Sequence, residues 1–534
     1  MTGTTEPTDA PAGPHEAPAE PAEAPAEPAD APAAAKAPVA TTPEEPAEAE
    51  PAPAGAHSPD EPSPDEPRAE TPLQALPVED EAKWRRYGPA PVRVPGRAAT
   101  ALGRFGRFWI HEWTLATFGA LALAVVMTWP SALHPSTTIP ADIWDPTLQA
   151  WQLAWSGHIL RTDPTQLWNG NAFFPDPYSY AYSDSLLGYF PAGLVGNGPV
   201  AALIRYNIIF ILLHALAFFG AYALVRQLGA GRIAGAAAGA AFAYAPWRWG
   251  QAGHMHVLSV GGIALSLAML ARGHGFSLTG PARPKRAGWA VAGWCVAAWQ
   301  ISLGFGIGVP FGYVLGGLTL AWIAAWLLRG APRPHWGLVA ADTVGLLLFL
   351  AVTAFMAVPY LRVVERFPYA RRSLDDVRLY SPNLRAFLTA PAQSLPWGHA
   401  HEAARATMSA PAETTLLPGF ILLGLALAGL SFSIWSARAR LVLFLGVVVS
   451  VIFAMGTNFL GGTYTYAPVF HYLPGWDAIR TPGRLIIWTT LLLAILAAGA
   501  VGALVSRAGD IIAQRYPSRP GLLLRVALIL PVLL

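Results

Sequence analysis

The run Trp113-Thr-Leu-Ala-Thr-Phe-Gly-Ala-Leu-Ala-Leu-Ala-Val-Val-Met-Thr-Trp-Pro-Ser-Ala-Leu133 carries no ionisable side chain. As a helix it is long enough to cross ~30 Å of hydrocarbon. Ahead of it stand Lys83, Arg85, Arg86, Arg93, Arg97, Arg104 and Arg107. A basic cluster before a first span predicts that the N-terminus stays in the cytoplasm.

Outward from this run the pattern repeats. Further candidate spans lie near 203–224, 233–246, 256–271, 288–304, 307–328, 338–358, 416–434, 441–456 and 485–505. If ten helices cross from a cytoplasmic start, the even-numbered exits should collect the Arg and Lys. They do: Arg226 and Arg232; Arg272, Arg283, Lys285 and Arg286; Arg329 and Arg333; Arg438 and Arg440; then Arg507, Arg515, Arg519 and Arg525. Short loops that obey the positive-inside rule five times set an orientation. The outer face then receives loops near 134–197, 360–415 and 456–484, with a short turn around Trp247 to His254. The seven Arg of 360–415 do not count against this, because long translocated loops escape the rule. Val526 to Leu534 is apolar and too short to span, and reads as the start of an eleventh, truncated helix. The expectation is an all-α polytopic membrane protein of about ten to eleven transmembrane helices, with its membrane domain over 113–505 and a cytoplasmic loop and further span over 506–534.

Composition agrees. Of 534 residues, 53% are hydrophobic and 13% charged, with mean hydropathy +0.38. The charged fraction is about half that of a soluble globular protein, which excludes a water-soluble multidomain enzyme. The net charge of +2 hides two different polymers. Residues 1–81 hold 19 of the 33 acids, 19 of the 50 prolines and only Lys36 and Arg68 as bases, so the remainder carries a net charge of +19. Proline every three or four residues blocks helices and ladders, and little apolar bulk is available to bury. Residues 1–82 are therefore expected to be a disordered acidic cytoplasmic tail, with 83–112 as a basic juxtamembrane segment. The tail's partner is not specified by its sequence, and a solvating spacer is the simpler reading. No secretory signal precedes the first apolar run. The single cysteine, Cys295, excludes an intrachain disulfide and any multi-Cys metal site.

Few ionisable groups fall inside the spans: His214, with Arg205 and Asp342 nearer the ends. Ion-coupled carriers place charged relays at the midplane, so this pattern weighs against one. Polar and aromatic residues gather instead in the first outer loop, which holds five of the body's 14 acids: Asp142, Asp145, Asp163, Asp176 and Asp184. From Asp145 the spacing is helical. Leu148, Trp151, Trp155 and Ile159 share a stripe, while Gln149, Gln152 and Ser156 lie off it, which predicts an interfacial helix with its Trp rings at headgroup depth. Asp145 reads as its N-cap, with Pro146 first in the helix, or as a base; the two are compatible.

A first outer loop with acidic residues, an interfacial helix and later outer loops resembles the GT-C superfamily of integral-membrane glycosyltransferases, which use polyprenyl-phosphate-linked sugars. Asp145-Pro-Thr-Leu-Gln-Ala-Trp-Gln-Leu-Ala-Trp, Asn171-Ala-Phe-Phe-Pro, Tyr182-Ser-Asp-Ser-Leu-Leu-Gly, Phe242-Ala-Tyr-Ala-Pro-Trp-Arg, His254-Met-His, Glu413-Thr-Thr-Leu-Leu-Pro-Gly-Phe and Ile479-Arg-Thr-Pro-Gly-Arg resemble, more narrowly, a group of bacterial membrane proteins described as glycosyltransferase-like. The resemblance spans roughly Trp113 to Val505. It implies a GT-C-like bundle and an aspartate in the first outer loop acting as base on the acceptor. The superfamily's usual arrangement is an adjacent acidic pair; here two residues separate Asp142 from Asp145, so the resemblance alone does not choose the base.

Inverting transfer from a lipid phosphate needs a carboxylate to take the acceptor's proton and cations to stabilise the leaving phosphate. The candidates are Asp145, with Asp142 and Asp184, for the base, and Arg480 and Arg484 for the phosphate, since Arg fits phosphate oxygens bidentately. The bland reading of either Arg is snorkelling to headgroups. Trp247, Arg248, His254 and Glu413 are candidate substrate contacts. Their plainer readings are an interface anchor for Trp247, turn polarity for the His254 and His256 pair, and a helix-start acid for Glu413. No cofactor and no metal site are assigned, and a divalent metal stays open. The expected partners are a polyprenyl-phosphate-sugar, a glycan or lipid acceptor and membrane lipid, with no nucleic acid, at the outer face of a bacterial cytoplasmic membrane. A hexosyl- or pentosyltransferase is the leading reading. A lipid-linked-sugar flippase and a non-catalytic glycolipid-binding scaffold are the alternatives.

Overall fold

Each apolar stretch picked out by the spacing becomes a helix in the computed structural model, which describes residues 107–515. The acidic tail of 1–82, nearly all of the basic segment 83–112 and the stretch beyond 515 lie outside the described residues. The helices of ten or more residues are α1 (Glu112–Met127), α2 (Asp145–Thr162), α3 (Gly198–Leu228), α4 (Arg232–Ala243), α5 (Gly261–Gly273), α6 (Ala287–Ile301), α7 (Phe305–Leu328), α8 (Trp336–Arg366), α9 (Phe420–Ser431), α10 (Ala437–Ala454) and α11 (Ile486–Arg515). Among the described residues there is no strand. Six helical stretches among the described residues are long and apolar enough to cross a membrane: Gly198–Leu228, Met255–Gly273, Phe305–Leu328, Trp336–Arg366, Ala437–Ala454 and Pro482–Asp510. At ~1.5 Å per residue α4 covers about 18 Å, and the short helix Pro246–Gly250 follows it after a break at Tyr244.

The bundle is organised on two inner helices. One is α3, which packs against α1, α2, α4 and α5; the other is α11, which packs against α4, α9 and α10, while α6 joins α5 to α8. α3 and α5 approach closely because a Cβ on Gly220 would meet the Gly261 carbonyl oxygen at 2.5 Å. Small residues at a crossing are how apolar helices associate without a hydrophobic drive between them. α7 and the long apolar stretches of α8 and α10 leave Leu320, Leu347 and Val442 exposed. Such surfaces are tolerated where the surrounding solvent is hydrocarbon.

Both ends of the bundle are defined by contacts. Glu112, in the first turn of α1, accepts hydrogen bonds from Arg226 at the end of α3 and from Arg232 at the start of α4, the latter at 2.9 Å. The loop between α5 and α6 packs there too, with Gln227 donating to the Phe276 carbonyl at 2.9 Å. The long loops lie at the other end. α7 starts there after a break at Ser302 to Gly304 that separates it from α6.

α2 differs from the interfacial helix expected. Trp155 is buried and donates its indole N–H to the Leu167 carbonyl at 2.9 Å. Gln149, Gln152 and Ser156, expected off the apolar stripe, are buried as well. Both faces of α2 are covered because its polar side is bonded to the loops that carry the site.

Candidate functional site

Asp145 is the first residue of α2 and does not cap it: the N-cap is Trp144, and no side chain makes a cap bond. The capping reading fails because this carboxylate has a partner from another segment, His254 Nε2 at 2.9 Å from Oδ2. The turn that presents His254 is held by α2 itself. Gln149 donates to the Gly253 carbonyl at 3.1 Å and accepts from the Met255 amide at 2.8 Å. Asp145, Gln149, Gln152 and Ser156 recur at four, three and four residues, so one helix face delivers the carboxylate and fixes its histidine.

From His254 a chain of polar contacts runs inward. Its Nε2 lies 3.8 Å from Glu413 Oε1. Glu413 is buried, and Arg484 meets both of its oxygens, at 2.6 and 3.2 Å. Gln251 adds a donor to Oε2 at 3.1 Å. Glu413 stands in the first turn of the short helix Pro411–Thr414, and its carboxylate is engaged in a buried bidentate ion pair. Arg484 also donates to His256 Nε2 at 3.2 Å. A nitrogen that accepts cannot carry the proton, so His256 is neutral and protonated on Nδ1. His256 Nε2 is 3.7 Å from Asp184 Oδ2.

Asp184 has a further task. Its Oδ1 accepts from the amides of Phe305, at 2.7 Å, and Gly306, at 3.4 Å, so it caps α7 from a loop more than a hundred residues away. The neighbouring backbone is clamped. Gln152 donates to the Asp184 carbonyl, Tyr180 to the Ser185 carbonyl, and Tyr360 donates to the Ser183 carbonyl while accepting from the Ser185 amide. Gly304 is required beside it, since a Cβ there would lie 2.7 Å from the Asp184 carboxyl carbon.

The protonation states follow from these neighbours. Burial raises the Asp184 carboxyl, against the Phe305 amide and the Arg484 charge. Burial also works against the Glu413 carboxylate, but Arg484 outweighs it and holds that group below its ordinary value. His254 is lowered by burial and by Arg484, against the pull of Glu413, Asp145 and Asp142. A neutral His254 then donates from Nε2 to Asp145 and turns an unpartnered Nδ1 into the protein. Asp145 is the outward end of the network, with its side chain 51% exposed, whereas Glu413, Arg484 and His256 are enclosed.

The other sequence candidates fall elsewhere. Asp142 is exposed, and its Oδ1 accepts from the Trp144 amide at 2.9 Å. Arg480 lies outside the chain of contacts, its guanidinium 4.6 Å from the centre of the Tyr380 ring. Trp247 is buried and donates to the Thr490 hydroxyl at 3.0 Å, an anchor between Pro246–Gly250 and α11. Arg248 is fully buried and donates to the Leu258 carbonyl at 3.0 Å. Both side chains are enclosed by protein. Gln149, Gln152, Gln251 and Tyr360 belong to the site and were not singled out as site residues; the signal available was the polar stripe continuing from Asp145 along α2. Among the described residues no group of three or more His, Cys, Asp or Glu has the arrangement of a metal site.

No protein-family model matches the sequence, and no curated protein matches it. Among solved structures the chain is similar to the archaeal oligosaccharyltransferase AglB from Archaeoglobus fulgidus, in complex with an inhibitory peptide and a dolichol-phosphate, at 12% identity and a TM-score of 0.39. That match covers 80% of this chain and 55% of the other, so the chain spans little more than half of that protein's length. It is also similar to ArnT from Cupriavidus metallidurans bound to undecaprenyl phosphate, at 19% identity and a TM-score of 0.30, over 75% of this chain and 81% of that one.

Proposed function

We propose that this protein is a membrane glycosyltransferase that moves a sugar from a polyprenyl-phosphate donor to an acceptor hydroxyl at the outer face of a bacterial cytoplasmic membrane. The observation that carries this reading is the Asp145 carboxylate, half-exposed and held by His254, at the head of a network that also contains Arg484. A base and a guanidinium stand in one cluster at the loop-bearing end of an apolar bundle.

In the reaction, Asp145 accepts the acceptor's hydroxyl proton. The oxygen attacks the anomeric carbon, the bond from that carbon to the phosphate oxygen breaks, and the phosphate leaves with the electron pair. His254 orients the base through Nε2–H. Arg484 is bidentate on Glu413 and therefore contributes its field to the phosphate rather than a free fork, while Arg480, over the Tyr380 ring and outside this network, is the second guanidinium proposed for the phosphate. Asp184 positions the loop against α7 and is not the base.

The test is Asp145→Asn in isolated membranes, read as transfer of labelled sugar from polyprenyl-phosphate donors. General-base removal lowers a rate by about 10²–10⁴-fold, so transfer should fall by at least about 100-fold with an unchanged thermal midpoint. Full transfer by this variant, or no transfer by the wild type from any such donor, overturns the reading.

A further inference from the structure

A polar cleft of about 410 Å³ lies between the C-terminal half of α2, the turn around Gly193 to Asn197 and the first turns of α3. At ~1.5 Å per residue, His158 and Arg161 stand roughly 20 Å or more along α2 from Asp145. The cleft is therefore separate from the cluster described above.

Its lining is cationic. Arg161 donates Nε to the Gly157 carbonyl at 3.0 Å, Nη1 to the Leu194 carbonyl at 3.3 Å and Nη2 to the Asn197 side chain at 3.1 Å. Arg205 is only 6% exposed; Nη1 donates to the Val195 and Gly196 carbonyls, and Nε is buried without a partner. Carbonyls and an amide order a guanidinium without neutralising it. The first turn of α3 opens into the same place. Its N-cap, Asn197, makes no side-chain cap bond, because Arg161 holds that side chain. The positive end of a 31-residue helix and two guanidiniums without a carboxylate partner among the described residues thus line one space.

The surface leading away from the cleft is apolar. Val200, Ile208 and Leu212 are exposed, Ile204 is half-buried, and together they form one stripe along α3, with Val195 exposed at the rim. A cationic head and an apolar flank match an anion carried on hydrocarbon chains. Helix N-termini and paired Arg suit phosphate oxygens in particular.

We propose that this cleft binds the phosphate of a membrane lipid, whose chains lie along the Val200–Leu212 stripe. The proposal does not depend on the glycosyltransferase reading.

The experiment titrates the full chain, purified and delipidated in detergent, with dioctanoyl phosphatidylglycerol, dioctanoylglycerol and inorganic phosphate, and follows the thermal midpoint and bound lipid by native mass spectrometry. The phosphatidylglycerol should act at a concentration at least tenfold below that of inorganic phosphate, and dioctanoylglycerol should not bind. Arg161 and Arg205 both hold the 194–197 loop, so Arg161→Gln is compared with Arg161→Lys, which keeps the charge, and the ligand-free thermal midpoint of each shows whether the loop survives; His158→Ala and, on the stripe, Ile208→Ser complete the set. Arg161→Gln should weaken phosphatidylglycerol at least tenfold and His158→Ala less, while Ile208→Ser should weaken phosphatidylglycerol but not phosphate. Unchanged binding by Arg161→Gln, equal binding of dioctanoylglycerol, or inorganic phosphate acting as well as the lipid would each overturn the proposal.

Discussion

Glu413 keeps its charge inside the protein because Arg484 meets both of its oxygens. Desolvating two ions is costly, and only close geometry with satisfied donors offsets it; removing one partner leaves the other buried and unpaired, which costs about 3–5 kcal/mol. Glu413→Gln should therefore lower stability by about that amount in a denaturant titration in detergent. Adding Arg484→Gln should cost clearly less than the sum of the two single changes, since contacting residues couple; additive losses would show that the pair does not interact. The sequence exposed these two residues as candidates but gave them to separate jobs, a substrate contact or helix start for Glu413 and a phosphate clamp for Arg484. Their pairing joins positions 71 apart in the chain, and nothing in local spacing records a contact of that range. Asp145 illustrates the same limit: a carboxylate before Pro146 satisfies the N-cap pattern whether or not it caps, and only the arrival of His254 decides.

The element that most changes meaning in three dimensions is α2. Its period was legible, and so was its apolar stripe. What the period could not reveal is that the polar face is also covered, because Gln149 and Gln152 find backbone partners in Gly253, Met255 and Asp184. α7 presents the complementary case. Its apolar length was legible, and so was a break from α6, yet its cap comes from Asp184 in the first loop. That arrangement makes Gly304 a sensitive position. Its φ of 164° is ordinary extended backbone, so the constraint is space: a Cβ 2.7 Å from the Asp184 carboxyl carbon must displace either the carboxylate or the helix start. Overpacking of this kind costs about 1–3 kcal/mol. Gly304→Ala should lower the thermal midpoint by several degrees and reduce transfer at least tenfold. Gly316→Ala, in the same helix with nothing within 4 Å of its Cβ position, should be neutral or stabilising by up to about 1 kcal/mol. Equal effects at the two positions would dissociate Asp184 from the start of α7.

At the scale of the molecule, the distribution of Arg and the contacts make the same division into two ends. Glu112 gathers Arg226 and Arg232 at one end. The long loops meet at the other, where His254, Asp184, Glu413 and Arg484 come from segments spread over 301 positions of chain. The end with the short basic loops should be cytoplasmic, because Arg and Lys near span ends resist translocation. Cys295 is the sole cysteine, so its replacement by Ser gives a background for single reporters. Gln393 is exposed in the loop between α8 and α9, and Ala282 is exposed in the loop between α5 and α6. In intact cells, a membrane-impermeant maleimide should label Gln393→Cys directly and Ala282→Cys only after permeabilisation. The reverse pattern would put the Asp145 cluster on the cytoplasmic side. A lipid-linked donor would then have to present its sugar there, and the charge rule that oriented the chain would have failed in every short loop at once.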